Sequence, residues 1–164
     1  MGSDDRSQAD RVARLAELED AAYRFGFFEA LRLVDCVYRD QPRTGEARRP
    51  RDEPVRIGQA PAMAFPPATL ASFQQRHGKW HLSNRFFGVF GPNGALPLHL
   101  TEYAYERSHG KQDETFAGFV DIFHHRMASL FYRAWASAQP TVSLDRPEED
   151  RFADYVGSLF GIGM

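Results

Sequence analysis

The longest periodic stretch of the chain spans residues 113–139 and reads DETFAGFVDIFHHRMASLFYRAWASAQ. Large apolar side chains recur in it at steps of three and four residues, which is the repeat of a helix face. Asp113 is placed to cap the first turn, and Pro140 is placed to end the helix. We therefore predict a helix of about six to seven turns, at 3.6 residues per turn. Its apolar positions are Phe116, Phe119, Val120, Phe123, Met127, Leu130, Phe131 and Trp135.

Toward the N-terminus, residues 10–38 show the same helical repeat, with a disturbance at Gly26. This pattern predicts two helices or one broken helix. Residues 27–35 are apolar over most of a helical circumference, which is typical of a helix buried against other elements. We therefore expect this second helix to lie near the core.

The middle of the chain carries weaker strand patterns. Residues 55–58, 63–65 and 80–90 resemble short strand pieces, and residues 91–94 form a strong turn signal. We expect a turn or loop between Pro66 and Phe73.

Two further helices follow these strand pieces. A short one is predicted over residues 98–108 and a last one from Leu144 to Phe160, with Pro147 in its first turn. Together the patterns predict an α+β fold, mainly helical with a small antiparallel β element.

Composition limits the possible functions. The 164 residues suit one core, and 20 basic against 22 acidic residues leave a net charge of -2, which disfavours a nucleic-acid partner. The single cysteine, Cys36, cannot form an internal disulfide and is expected to be a buried, inert thiol in a reducing compartment. Neither a signal peptide nor an apolar run of 18 residues is present, so we expect a cytoplasmic protein without direct membrane insertion.

Residues 40–54 interrupt the helical pattern with prolines, a glycine and charges of both signs. We predict a flexible or partner-ordered loop, and both a binding role and a plain solvated linker remain open. The chain is accordingly divided into a charged N-terminal helix or tail, residues 1–22, and a domain over residues 23–164 that contains this loop.

Asp121 and His125 raise the possibility of a metal site, because carboxylates and histidines are common ligands of zinc and iron. His124 and His125 point about 100° apart on a helix, so both cannot face one ion. Asp121 lies one turn before His125, which favours an ion pair on the helix face. The alternative is a small metal-dependent hydrolase that uses Asp121, His125 and a remote His99 or His109.

Known catalytic motifs are absent from the sequence. No Gly-x-Ser-x-Gly occurs, and the glycines at 88–94 lack the lysine of a phosphate-binding loop. We therefore predict no enzyme activity, and no catalytic residue, cofactor or metal ligand. Arg32, Arg85, Arg126 and Arg133 lie among large apolar residues, and such charges need carboxylates inside the chain or on a partner.

Five blocks of sequence, taken in order, resemble the TssG family, also called VasB or ImpH. The family supplies a baseplate subunit of the bacterial type VI secretion system. The blocks are residues 23–33 (YRFGFFEALRL), 53–57 (EPVRI), 65–66 (FP), 87–97 (FGVFGPNGALP), and 121–126 with 130–135 (DIFHHR, LFYRAW).

The resemblance implies an assembly role without catalysis. It implies binding to two TssF copies in a baseplate wedge, to TssK trimers and to other baseplate subunits, with the baseplate docked on the inner-membrane complex. Family members usually continue past the end of this sequence, so we expect an N-terminal portion that carries chiefly the TssF-facing part. Buried aromatic and arginine anchors dominate such interfaces. The predicted partner-binding residues are Phe27, Phe28, Arg32, Phe131, Tyr132, Arg133 and Trp135.

Overall fold

The computed structural model describes residues 2–162, apart from the side chains of residues 2–7, 151 and 153. Within this part of the chain there are six α-helices and three strands. The helices are α1 (Gly2–Asp20), α2 (Phe27–Val37), α3 (Leu98–Gly110), α4 (Thr115–Ala136), α5 (Pro140–Leu144) and α6 (Arg151–Leu159). The strands are β1 (Val55–Gln59), β2 (Leu70–Arg76) and β3 (Lys79–Asn84).

The predicted α+β class is confirmed, but the sheet is mixed rather than antiparallel. Its order is β1-β3-β2, with β2 and β3 antiparallel and β1 parallel to β3. The hairpin turns at His77 and Gly78, whose φ angles of 50° and 75° suit a tight two-residue turn. Residues 60–69 carry the chain from β1 to the far edge, so β3 returns between the two strands and runs parallel to β1.

Several segments differ from the sequence prediction. Leu70–Arg76 is a strand, although a turn or loop was expected up to Phe73. A bulge between Leu70 and Ser72 interrupts the alternation of side chains by which strands are recognised. The predicted strand pieces at 63–65 and 85–90 are loops, and the predicted last helix is divided into α5, a 3-10 turn at Pro147–Glu149, and α6.

The main core lies where α1 and α2 pack on one face of the sheet. The break predicted at Gly26 is present, because α1 ends at Asp20 and α2 begins at Phe27. The fully buried side chains of this core include Leu18, Leu31, Val34, Val55, Ile57, Leu70, Phe73 and Leu82.

The 40–54 loop is attached to α2 at the buried Asp35 side chain and is held together internally by the buried Glu53 side chain. Thr44 donates from both its backbone nitrogen and its hydroxyl to Asp35 Oδ1, at 3.0 and 2.8 Å. The Gly45 nitrogen donates to Glu53 Oε1 at 3.2 Å. Gly45 has a φ of +87° and passes so close to the Ser129 carbonyl of α4 that a Cβ would lie 2.7 Å from it. These contacts join the loop to α2 and α4, and further ordering of its exposed residues by a partner stays a prediction.

Candidate partner-binding surface

The inner face of α4 covers the free edge of β1. The Ile57 nitrogen donates to His125 Nδ1 at 3.2 Å, and the Gln59 nitrogen donates to Asp121 Oδ1 at 3.0 Å. Both donors belong to an edge strand, where unpaired N–H groups are open to pairing with another chain. Side chains of α4 therefore satisfy the donors that β3 leaves unpaired.

This contact is so close that β1 needs glycine at position 58. A Cβ on Gly58 would lie 2.3 Å from Asp121 Oδ2, which is closer than a Cβ lies to any non-bonded atom in real structures. Asp121 can therefore reach the Gln59 nitrogen only because residue 58 has no side chain.

His124 joins α4 to the loop after β3. Its Nδ1 lies 2.9 Å from Asp121 Oδ1, and its Nε2 accepts a hydrogen bond from the Val89 nitrogen at 3.0 Å. These partners assign the proton of the neutral ring to Nδ1. The neighbouring Phe90 is held by Gln59, whose Oε1 accepts from the Phe90 nitrogen and whose Nε2 donates to the Phe90 carbonyl. One buried polar network therefore connects β1, α4 and the 87–97 loop.

The histidine partner of Asp121 differs from the predicted one. Asp121 contacts His124, one residue before the predicted His125. His125 instead faces β1 through Nδ1 and lies 3.1 Å from Glu53 Oε2 through Nε2. Among the residues that the structure describes, no three His, Cys, Asp or Glu side chains are placed to hold a metal ion. The ligand set of the hydrolase alternative is not assembled there.

The opposite side of α4 is apolar, and it is exposed. Phe119, Ile122, Phe123 and Leu130 keep 59, 65, 55 and 43% of their surface accessible. A contiguous exposed apolar patch of this kind is typical of a surface that packs against another chain. We call the group formed by Phe119, Ile122, Phe123, Arg126, Met127 and Leu130 the α4 outer face.

An aromatic cluster extends this face at the C-terminal end of α4. Phe131 stacks on Phe87 with ring centroids 5.0 Å apart, and its ring lies 5.3 Å from that of Phe28. Phe28 in turn stacks on Trp135 at 4.7 Å. Phe86 and Phe131 both remain 40% exposed, so the cluster is open to the outside.

Two of the predicted partner-binding residues belong to the core. Phe27 and Tyr132 are 2% and 1% exposed, and the Tyr132 hydroxyl donates to Asp35 Oδ2 at 3.0 Å. Neither can contact a partner while the core is closed, because their surroundings are already filled. Phe28 and Trp135 are half-buried and Phe131 is exposed, so these three can still take part in a surface.

The two predicted arginines differ from each other. Arg32 makes an internal ion pair, donating to both carboxylate oxygens of Asp145 at 2.5 and 2.9 Å. Arg133 has an exposed side chain and lies 3.8 Å from Glu46, at the outer limit of an ion pair. Arg133 therefore stays a candidate for a partner contact, whereas Arg32 attaches the α5 region to α2.

None of the six residues of the α4 outer face is among the predicted partner-binding residues. Phe119, Phe123 and Leu130 were placed in one apolar repeat with Val120, which is buried. Successive residues turn by about 100°, which places Phe119, Phe123 and Leu130 on the side opposite Ala128 and His124. A helical projection of the quoted stretch separates this exposed apolar face from the buried one.

The fold and this surface together define an α+β domain whose longest helix has one face buried in its own core and an apolar face on the outside. Such an arrangement is typical of subunits that pack against other chains. The chain belongs to the TssG family of type VI secretion, since the family model described as "Type VI secretion, TssG" matches residues 21–164. The protein is thus a type VI secretion subunit, and the resemblance seen in the sequence is confirmed. No curated protein and no solved structure matches the chain.

Helices long and apolar enough to cross a membrane are not found within residues 2–162.

Proposed function

We propose that this chain is a non-enzymatic structural subunit of the type VI baseplate wedge. In this role it binds TssF and helps to connect the wedge to TssK trimers and to other baseplate subunits. Its place is the cytoplasmic baseplate, docked on the inner-membrane complex. Membership of the TssG family supports the assembly role.

The α4 outer face is the proposed contact with TssF. The observation that carries this assignment is the exposure of four large apolar side chains on one side of a helix whose other side is buried. Exposed apolar surface of this kind is stabilised when a partner removes it from water, by about 25 cal/mol per Å². Arg126 lies among these residues and can form a charged anchor, because arginine is enriched at interface centres.

Co-purification with TssF tests the proposal. We expect the wild-type chain to retain TssF on an affinity column and the Leu130→Glu and Phe123→Glu variants to lose it. Truncation of a residue at the centre of an interface typically weakens binding by about 2 kcal/mol or more, which is about 30-fold. Circular dichroism must show unchanged helix content in both variants.

Val12→Glu is the matched control. Val12 is 50% exposed on α1, so the change adds the same charge to another exposed helical position. We expect this variant to bind TssF as the wild type does. Wild-type binding by Leu130→Glu and Phe123→Glu would exclude the α4 outer face as the contact.

A further inference from the structure

A groove lies on the face of the sheet opposite the main core. It has a volume of about 670 Å³ and is bounded by the sheet on one side and by the α3–α4 corner on the other. Cavities of about 300–1,000 Å³ are typical of binding sites. We call this space the sheet groove.

Cross-strand register gives the sheet groove a polar, cationic floor. Arg56 of β1 pairs with His81 of β3, which pairs with Gln74 of β2. Arg76 and Lys79 pair at the hairpin end, two residues along each strand from Gln74 and His81. Alternate residues of a strand share one face, so these five side chains lie on the same side of the sheet.

Part of the positive charge of this floor has no carboxylate partner among the described residues. The Arg56 guanidinium makes no hydrogen bond and no ion pair there, and the residue is half-buried. Lys79 donates to the backbone carbonyls of Arg51 and Glu53, at 2.8 and 3.1 Å, and to no carboxylate. Burial, followed by the charges of Arg76 and Arg56, lowers the pKa of His81 below its ordinary value.

Both acidic side chains of the sheet groove are already engaged. Glu114 pairs with Arg76 at 2.8 Å. Asp121 accepts from the Gln59 nitrogen and contacts His124. Arg56 and Lys79 therefore remain available to a negatively charged occupant.

The opposite wall is mixed. Ala117, Gly118 and Ile122 of α4 line it beside Glu114 and Asp121, and Ile122 also belongs to the α4 outer face. An extended peptide directs alternate side chains to opposite sides, which suits a space with cationic side chains on one wall and apolar side chains on the other.

We propose that the sheet groove binds an extended acidic segment of a partner protein, with its carboxylates on Arg56 and Lys79 and its apolar side chains on Ala117 and Ile122. The segment then passes directly onto the α4 outer face through Ile122. This site adjoins the proposed TssF contact at Ile122, but its test requires no TssF.

Fluorescence anisotropy with a labelled decapeptide that alternates Glu and Val tests the proposal on the full chain. A peptide with Gln in place of Glu is the charge control. We expect binding of the Glu peptide that weakens with added salt, and no binding of the Gln peptide. Failure of the Glu peptide to bind, or equal binding of the Gln peptide, overturns the proposal.

Variants of the groove make the test specific. Arg56→Gln should weaken binding about tenfold or more. It removes a charged hydrogen-bond donor worth about 1.5–3 kcal/mol, and a loss of that free energy corresponds to at least a tenfold loss of affinity. Arg56 has no partner to lose within the described residues, so we expect the folded state to persist. Glu114→Gln should strengthen binding about threefold, because it frees Arg76 from its counter-ion.

Arg39→Gln is the matched control, since Arg39 is exposed beyond the end of α2 and does not line the groove. We expect its affinity to stay within about twofold of the wild type. Equal weakening by Arg39→Gln and Arg56→Gln indicates general charge attraction and overturns the proposal. Displacement of the Glu peptide by millimolar inorganic phosphate indicates a site for free anions and also overturns it.

Discussion

Gly58→Ala is the substitution most directly tied to the contact between α4 and β1. The added Cβ would lie 2.3 Å from Asp121 Oδ2 and 2.7 Å from its Cγ, so the carboxylate must move. A carboxylate is the free end of a side chain and can rotate away without large strain. The destabilisation therefore comes from the two hydrogen bonds that Asp121 gives up.

The magnitude follows from the donors that lose their acceptor. The Gln59 nitrogen and His124 Nδ1 both belong to buried residues, and both donate to Asp121. An unsatisfied buried donor costs about 1–3 kcal/mol. Replacing glycine within a strand restores about 0.5–1 kcal/mol by restricting the unfolded chain. We expect a net loss of about 1–5 kcal/mol in the free energy of unfolding.

Thermal and urea unfolding measure this loss. For a chain of 164 residues, the expected change lowers the Tm by roughly 2–20 °C, at about 2–4 °C per kcal/mol. Gly118→Ala is the control, because Gly118 is an exposed position of α4 with open space where its Cβ would be placed. Alanine there should stabilise the helix by about 1 kcal/mol.

A double-mutant cycle isolates the cause of the effect. In the Asp121→Ala background the clash is absent, so Gly58→Ala should become neutral or slightly stabilising. The reasoning is refuted if Gly58→Ala stabilises the wild-type chain as Gly118→Ala does. It is equally refuted if Gly58→Ala destabilises both backgrounds by the same amount.

Three further predictions follow from buried groups. Burial raises the pKa of Asp35 from 3.8 to about 6, so its contribution to stability is complete below about pH 3.8 and is lost as the pH rises through about 6. Between about pH 4 and 7, the free energy of unfolding of Asp35→Asn should rise by about 3 kcal/mol relative to that of the wild type, because about two pKa units correspond to 1.36 kcal/mol each. Urea unfolding measures it, and a difference that stays constant with pH would contradict the assignment. Burial, assisted by the charge of Asp145, raises the pKa of the Cys36 thiol to about 11. A thiol reagent at about pH 8 should therefore react much more slowly with the folded chain than with the urea-unfolded chain. Equal rates would contradict this. Arg32→Ala leaves the Asp145 carboxylate without its two donors, so we expect a loss of about 1–3 kcal/mol and faster proteolysis near residues 140–149, and an unchanged cleavage pattern would show that the pair does not hold this segment.

The elements with strong local signals were predicted from the sequence. The apolar repeat and flanking residues of α4 place that helix within about three residues, and Gly26 marks the break between α1 and α2. For Arg32 the sequence left two alternatives open, a carboxylate inside the chain or one on a partner. A charge in an apolar helix requires a carboxylate, but the sequence does not indicate where that carboxylate lies, and the structure shows the internal pair with Asp145.

The rest depends on contacts between distant segments. Strand β2 carries a bulge, and its partner β3 alone supplies the register that makes it a strand. The choice of His124 over His125 as the partner of Asp121 depends on the direction of each ring relative to β1 and the 87–97 loop. Strand alternation, helical repeats and residue types indicate neither the register of a strand nor the direction of a histidine ring.

Two of the sequence blocks that resemble the TssG family contact the inner face of α4. This explains why the inner and outer faces of the helix have different residues. The inner face meets the 53–57 block through His125 and the 87–97 block through His124, both by hydrogen bonds to backbone nitrogens. Backbone contacts of this sort fix position and leave little freedom for the helix to move. The outer face has apolar side chains and one arginine, which bind through area and shape.

A helix held firmly on one side is a suitable support for an interface on the other, because little ordering entropy is lost when a partner binds. Substitutions on the inner face should therefore change stability and partner affinity together, whereas those on the outer face should change affinity alone.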